Sequence, residues 1–194
     1  MDTTITNSVF TSVSDLPNSW DDLAVATVFL QKNYLTALEF SKPDNMTVFF
    51  ICFYKKDTLV GIALAQFLDL NNLESFGERD KCFKTTVRNL VFKNFCSHVL
   101  FIGNNMLTGQ NAFGFGAEIS IEHQTKALLD ATADLKKQFE KNGKKIHIVS
   151  FKDFEKQTAN SMAVQGMQSY FQFSAQPNMV FSIKKEWQSE TDYV

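Results

Sequence analysis

A glycine-rich stretch is the part of this sequence whose residue types and spacing best suggest chemistry. Between Gly103 and Gly116 the chain carries four of its eight glycines, and an apolar run at 99–102 precedes them. A helix pattern begins at Ser120, so the sequence predicts a buried strand, a turn and then a long helix. Backbone N–H groups at such a helix start can bind an anion such as a pyrophosphate. The alternative is that the glycines only let the chain turn tightly.

Polar side chains in the same stretch are candidates for ligand contacts. Asn104, Asn105 and Thr108 lie near the predicted strand end, where α/β proteins commonly form ligand clefts. The three histidines are scattered along the chain and predict no metal site. The three cysteines are widely spaced without a Cys-x-x-Cys pair, so neither a zinc site nor a disulfide framework is expected. No local spacing indicates a Ser-His-Asp or Cys-His nucleophile.

The composition is typical of a globular chain of one large domain or one and a half small ones. The chain has 194 residues, is 44% hydrophobic and contains 20 phenylalanines, which favours a bulky, sheet-rich core. The net charge is −2 and no basic block exists, so broad electrostatic binding to nucleic acid is not expected. No signal peptide and no apolar run near the ~18 residues of a membrane helix is visible. Together with the cysteine usage, this predicts a reduced, cytoplasmic setting without membrane association.

Hydrophobic patterning predicts the elements that would position these residues. The small residues Gly61, Ala63 and Ala65 predict that another group packs closely against their strand. A hairpin is expected, with its turn at 56–57. The predicted strands are a weak one at 4–13 and further ones at 47–55, 58–67, 98–106, 145–151 and 178–184, and the predicted helices are 20–25, 31–40, 120–142 and part of 155–173. A polar stretch at 69–95 is interpreted as helical in its later part, with a mobile lid or substrate loop as the alternative.

The long helix at 120–142 is the most completely specified element. Leu128 and Leu135 belong to an apolar stripe at helical spacing. Ser120 is the predicted N-cap, and Asn142-Gly143 is the predicted end.

Short sequence motifs along nearly the whole chain carry a family resemblance. They are Trp20, the region from Phe29-Leu30 to Leu38-Glu39, Leu59-Val60-Gly61, Gly103-Asn104 with Leu107-Thr108-Gly109, Gln176-Pro177-Asn178-Met179, and Trp187 with Asp192-Tyr193. With the mixed α/β order of the elements, they resemble GNAT-like proteins of a Bacteroidetes type. Those proteins carry two GNAT-like halves, as the Fem-type peptidyltransferases do, and this chain is similar to the first half. The resemblance implies a GNAT-like mixed sheet flanked by helices, with a pyrophosphate-binding turn at the start of the main helix.

The resemblance further implies N-acyl transfer from acetyl-CoA or another acyl-CoA to a small-molecule or peptide amine. Such a reaction needs a base for the acceptor ammonium and an acid for the leaving thiolate. Glu118, just past the turn, is the candidate base, with an ordinary helix-start carboxylate as the alternative. Tyr170 is the candidate acid, with simple packing as the alternative. The expected acyl-CoA contacts are Asn104, Thr108, Gly109, Gln110, Gly114 and Gly116, although the segment from Gln110 has one residue more before its first glycine than the family pattern.

The resemblance also sets expectations for domain organisation and partners. One GNAT-like domain is expected at 1–185, and 186–194 is expected to be a C-terminal segment or the start of a linker to an absent second half. An apolar surface near the last strand and Trp187 would then be covered by a second copy, as a homodimer, or by the missing half. The alternative function is a non-catalytic GNAT-like module that recognises a ligand or supports a partner.

Overall fold

A computed structural model of the protein describes residues 4–71, 91, 93–109, 112–173 and 185–187. Within them the chain forms a six-stranded mixed sheet flanked by helices, which confirms the expected mixed α/β class. The strands are β1 (Ile5–Phe10), β2 (Met46–Lys55), β3 (Thr58–Asp69), β4 (His98–Ile102), β5 (Phe113–Phe115) and β6 (Ile148–Phe151). The helices are α1 (Trp20–Leu23), α2 (Lys32–Ser41), α3 (Ile121–Lys141) and α4 (Lys156–Val164). No helix of these residues is both long enough and apolar enough to cross a membrane.

The sheet has the order β1-β2-β3-β4-β6, and β5 pairs with β3 outside this path. Neighbouring strands from β1 to β4 are antiparallel, whereas β4 and β6 run parallel. The predicted hairpin is confirmed, since Lys56 and Asp57 connect the paired residues Lys55 and Thr58. A parallel pair needs a long crossover connection, and α3 lies within the connection between β4 and β6.

The core consists of two layers, one on each face of the sheet, because successive strand residues point to opposite faces. In the α3 layer, Phe53 of β2 belongs to the same buried cluster as Leu128 and Leu135. In the α1–α2 layer, Phe50 of β2 packs edge-to-face on Trp20, with ring centroids 6.3 Å apart. The long helix therefore covers one face of the sheet, and the two short helices cover the other.

The long helix α3 has the predicted caps. Its N-cap residue, Ser120, accepts a hydrogen bond from the backbone amide of His123 through its hydroxyl. At the other end Gly143 has a φ of 73°, which favours glycine. The amides of Gly143 and Lys144 then donate to carbonyls of the last helical turn, which is the Schellman arrangement.

Some predicted boundaries differ from the structure. β4 ends at Ile102 rather than near residue 106, because the following glycine, with a φ of 130°, turns the chain out of the ladder. β6 covers only the last four residues of the predicted strand at 145–151. The predicted strand at 178–184 and most of the polar stretch at 69–95 lie outside the described residues.

The glycine-rich stretch is not the single turn that the sequence predicted. The chain leaves the sheet after Gly103 and returns at Ala112, and Leu64 of β3 bonds to both ends. The Gly103 amide donates to the Leu64 carbonyl at 2.9 Å, and the Leu64 amide donates to the Ala112 carbonyl at 2.9 Å. Residues 104–109 therefore leave the sheet as a loop, here named the 104–109 loop, and β5 lies on the same side of β3 as β4.

Candidate functional site

The short strand β5 has an outer edge that faces away from β3. The Gly116 amide donates to β3 and the Ala112 carbonyl accepts from it, at 3.0 and 2.9 Å, and Gly114 is paired with β3 between them. Backbone groups of successive residues in an antiparallel ladder alternate between its two sides. The N–H and C=O groups of Phe113 and Phe115 therefore point outward, and in the described part of the chain β5 pairs with no strand but β3.

The strand β6 pairs with β4 and, in the described part of the chain, with no residue of β5. The Lys152 amide donates to the Ile102 carbonyl at 3.0 Å, which extends the β4–β6 pairing by one bond. The next residue, Asp153, has a φ of 56°, a left-handed conformation that is uncommon outside glycine. In the described ranges residues 152–154 form no strand pair with β5, and the space between these two segments is here named the wedge. It lies at the carboxyl ends of a parallel strand pair, where α/β proteins tend to bind ligands.

Aromatic side chains line the wedge on the α3 face of the sheet. Phe113 packs edge-to-face on Phe154 across the wedge, with centroids 5.3 Å apart. Phe154 contacts Phe151 at 5.9 Å, and Phe151 contacts Tyr170 at 5.1 Å. The three phenylalanines are partly exposed, and Tyr170 is 37% exposed. These four residues, here named the aromatic wall, offer apolar surface beside the outer edge of β5.

Amide side chains lie on the opposite face, at the start of the 104–109 loop. Gln66 donates from Nε2 to Asn104 Oδ1 at 3.3 Å, and Asn104 donates from Nδ2 to the Tyr34 hydroxyl at 2.9 Å. The Asn105 amide donates to Gln66 Oε1 at 2.7 Å. Since Gln66 and Asn104 are buried, these bonds satisfy groups that water cannot reach, and they fix the start of the loop.

Lys152 holds the same loop from the β6 side. Its Nζ donates to the Leu107 carbonyl at 2.7 Å and is ion-paired with the Asp153 carboxylate. The positive charge is therefore matched locally at the mouth of the wedge. Thr108 and Gly109 are exposed on the loop, and Gln110 lies outside the described residues.

Close contacts within the protein surround two of the predicted coenzyme A contacts, Gly114 and Gly116. A Cβ added to Gly114 would lie 2.4 Å from the Leu23 carbonyl oxygen, so α1 excludes a side chain there. A Cβ added to Gly116 would lie 2.5 Å from Glu118 Oε1, at the movable end of a side chain. Neither contact involves a ligand, so the binding roles of Gly114 and Gly116 stay predictions.

The start of α3 has limited capacity for an anion. The His123 amide already donates a hydrogen bond to the Ser120 hydroxyl, which also lies 2.7 Å from His123 Nδ1. The amides of Ile121 and Glu122 have no acceptor within the helix, as in any first turn. Glu122 in that turn and the exposed Glu118 place negative charge near the same helix end, which favours the helix and opposes a phosphate.

The two candidate catalytic residues lie beside the ends of different strands. Tyr170 packs on Phe151 beside the end of β4, whereas Glu118 follows the end of β5. The β3 partners of these two strand ends, Ala65 and Gly61, are separated by roughly 13 Å at ordinary strand rise. Burial raises the pKa of Tyr170, which keeps its hydroxyl protonated. The catalytic roles of both residues stay predictions.

A cluster of titratable groups occupies the opposite ends of β4 and β6. The rings of His98 and His147 stack with centroids 4.9 Å apart, and the His98 amide donates to His147 Nδ1 at 3.3 Å. His98 Nε2 lies 3.7 Å from Asp69 Oδ2. Burial, and then the charges of His98 and Lys145, lower the pKa of His147. No set of three or more His, Cys, Asp or Glu side chains in the described ranges could hold a metal ion.

The predicted apolar surface near the last strand can be described only in part. Trp187 is partly exposed, while Phe171 and Phe173 are 88% and 70% exposed. The last predicted strand lies outside the described residues, so its covering by a second copy or a missing half stays a prediction.

Comparison of the chain with protein-family models, with curated proteins and with solved structures gives no match. A function is therefore inferred from the sequence and from the wedge.

Proposed function

We propose that this chain is a GNAT-like, N-acyltransferase-like domain that binds an acyl-CoA in the wedge. The observation that carries the proposal is the outward direction of the N–H and C=O groups of Phe113 and Phe115. The pantetheine arm of coenzyme A contains amide groups. An extended ligand with amides can pair with an open strand edge in the way that an added strand does.

The topology supports the GNAT-like part of the proposal. The family order implied by the sequence has one strand, two short helices, three strands, a long helix, and then a strand, a helix and a last strand, which was predicted outside the described residues. The described elements follow this order, with β5 as an addition between β4 and α3. The outer edge of β5, which pairs with no strand in the described part of the chain, lies at the carboxyl ends of the parallel β4–β6 pair, where the ligand is expected.

The proposed ligand matches the wedge best at its pantetheine arm and acyl end, whereas Glu118 and Glu122 oppose its phosphates at the start of α3. The pantetheine arm lies along β5, and the acyl end lies against the aromatic wall. The phosphates reach toward α3, where the amides of Ile121 and Glu122 are the donors. Tyr170 belongs to the aromatic wall, so its hydroxyl is a candidate acid for the leaving thiolate, and the acceptor is a small-molecule or peptide amine.

A matched pair of variants tests the binding edge. Phe113→Pro and Phe113→Ala both remove the aromatic ring, but only proline removes the outward N–H, and proline is tolerated where that group faces away from the ladder. We expect calorimetry to show acetyl-CoA binding at least tenfold weaker to Phe113→Pro than to Phe113→Ala. Equal dissociation constants for two folded variants, or no binding to the unchanged protein, would contradict the proposal.

The second candidate function is a non-catalytic GNAT-like module. The separation of Glu118 from Tyr170 and the carboxylates beside the start of α3 favour it. Release of the coenzyme A thiol from acetyl-CoA in the presence of primary amines and peptides distinguishes the two functions. An enzyme turns over, and Tyr170→Phe lowers kcat at least tenfold with little change in affinity. A binding module gives a dissociation constant but no amine-dependent thiol release.

A further inference from the structure

We propose that the wedge prefers a bulky apolar acyl group to an acetyl group. This inference rests on the proposed binding of acyl-CoA, and it names the substrate class of that site. The aromatic wall carries it, because its four rings form one unbroken series of contacts from β5 to Tyr170, with centroids 5.1 to 5.9 Å apart. An acetyl group would contact only a small part of this surface, whereas a longer chain could lie along it.

The charged and polar groups around the wedge also favour an apolar acyl group. Lys152 is the cation nearest the wall in sequence, and its Nζ is already bonded to the Leu107 carbonyl and the Asp153 carboxylate. The amides of Gln66 and Asn104 bond to each other and to their neighbours on the opposite face of the sheet. The cation next to Phe151 is therefore already matched, and the apolar rings of the wall suit an apolar chain better than a carboxylated one.

The core cluster on which the wall packs contains side chains that can adapt to such an acyl chain. Met162 and Met167 are buried in the same core cluster, against which Phe113, Phe151 and Phe154 pack. Methionine side chains are unbranched and repack at low cost, so the wall can shift to admit part of a ligand. Burial of each methylene group tightens binding by about fourfold, so two buried methylenes already give more than tenfold.

The test is a calorimetric comparison of coenzyme A, acetyl-CoA and octanoyl-CoA on the whole chain. We expect octanoyl-CoA to bind at least tenfold more tightly than acetyl-CoA. In Phe154→Ala and, separately, in Tyr170→Ala, the ratio of the two dissociation constants should fall below threefold. The matched control is Phe40→Ala on α2, because Phe40 is 85% exposed and belongs to neither core layer, so the ratio should keep its original value.

The outcomes separate this inference from the proposed function. If acetyl-CoA and octanoyl-CoA bind equally well, the acyl preference is wrong and the binding of acyl-CoA stands. If none of the three ligands binds, both proposals are wrong. If the preference survives in both wall variants, the chain binds elsewhere and the inference is overturned. Two variants are used so that a folding failure of one leaves the other to decide.

Discussion

The substitution Gly114→Ala tests why a glycine lies in the middle of β5. The added Cβ would lie 2.4 Å from the backbone carbonyl oxygen of Leu23, about an ångström closer than ordinary van der Waals contact. Backbone cannot rotate aside as a side chain can, so α1 or β5 must move. Overpacking of this kind costs about 1–3 kcal/mol. For a chain of this size, that corresponds to a fall in Tm of about 2–12 °C.

The neighbouring Gly116→Ala is the matched control. Its Cβ would meet the carboxylate of Glu118, which can turn into solvent, so we expect a change in the free energy of unfolding within about 0.5 kcal/mol. Thermal and urea unfolding followed by circular dichroism measure both variants. If Gly114→Ala were as stable as Gly116→Ala, the close approach of α1 would not be the reason for the glycine. The tight-turn and phosphate-binding interpretations of Gly114 would then be the ones that remain.

Two further predictions concern stability. The folded pKa of His147 lies below its ordinary value of 6.5, so its contribution to stability is present above that pH and is lost as the pH falls through the folded pKa. The urea midpoint should therefore be lower at pH 5.5 than at pH 7.5, and the difference should be smaller in His147→Gln. An equal difference in both proteins would show that His147 is not the group responsible. Ser120→Ala removes the N-cap of α3 and should lower the free energy of unfolding by about 1 kcal/mol, whereas Ser120→Asp should keep most of it. If Ser120→Ala were as stable as the unchanged protein, the cap would not be needed.

The elements predicted correctly from the sequence are those whose signals are local. The caps of α3 and the turn at Lys56-Asp57 are specified by neighbouring residues. The small residues of β3 also predicted a close neighbour, and Phe115 is that neighbour, since a Cβ on Gly61 would lie 2.2 Å from its ring. The strand β5 itself was missed, because three residues within a glycine-rich stretch become a strand only by pairing with a distant partner.

In the candidate site, too, local features were predicted from the sequence and contacts between distant residues were not. Asn104 was predicted at a strand end, and the structure places it there. Its partners Gln66 and Tyr34 are 38 and 70 residues away in the sequence, so no local pattern could join them. A glutamine within an otherwise apolar strand was the signal that could have indicated a buried network. The left-handed conformation of Asp153, beside the wedge, has no sequence signal as strong as a glycine would give.

Residue-resolved amide hydrogen exchange with and without saturating acetyl-CoA tests the central claim most directly. In the free protein, the Gly116 amide should exchange slowly, since it donates to the Val60 carbonyl. The outward amides of Phe113 and Phe115 should exchange fast and slow at least tenfold when acetyl-CoA binds. If acetyl-CoA saturates the protein while these two amides keep their free exchange rates, the outer edge of β5 is not the binding site.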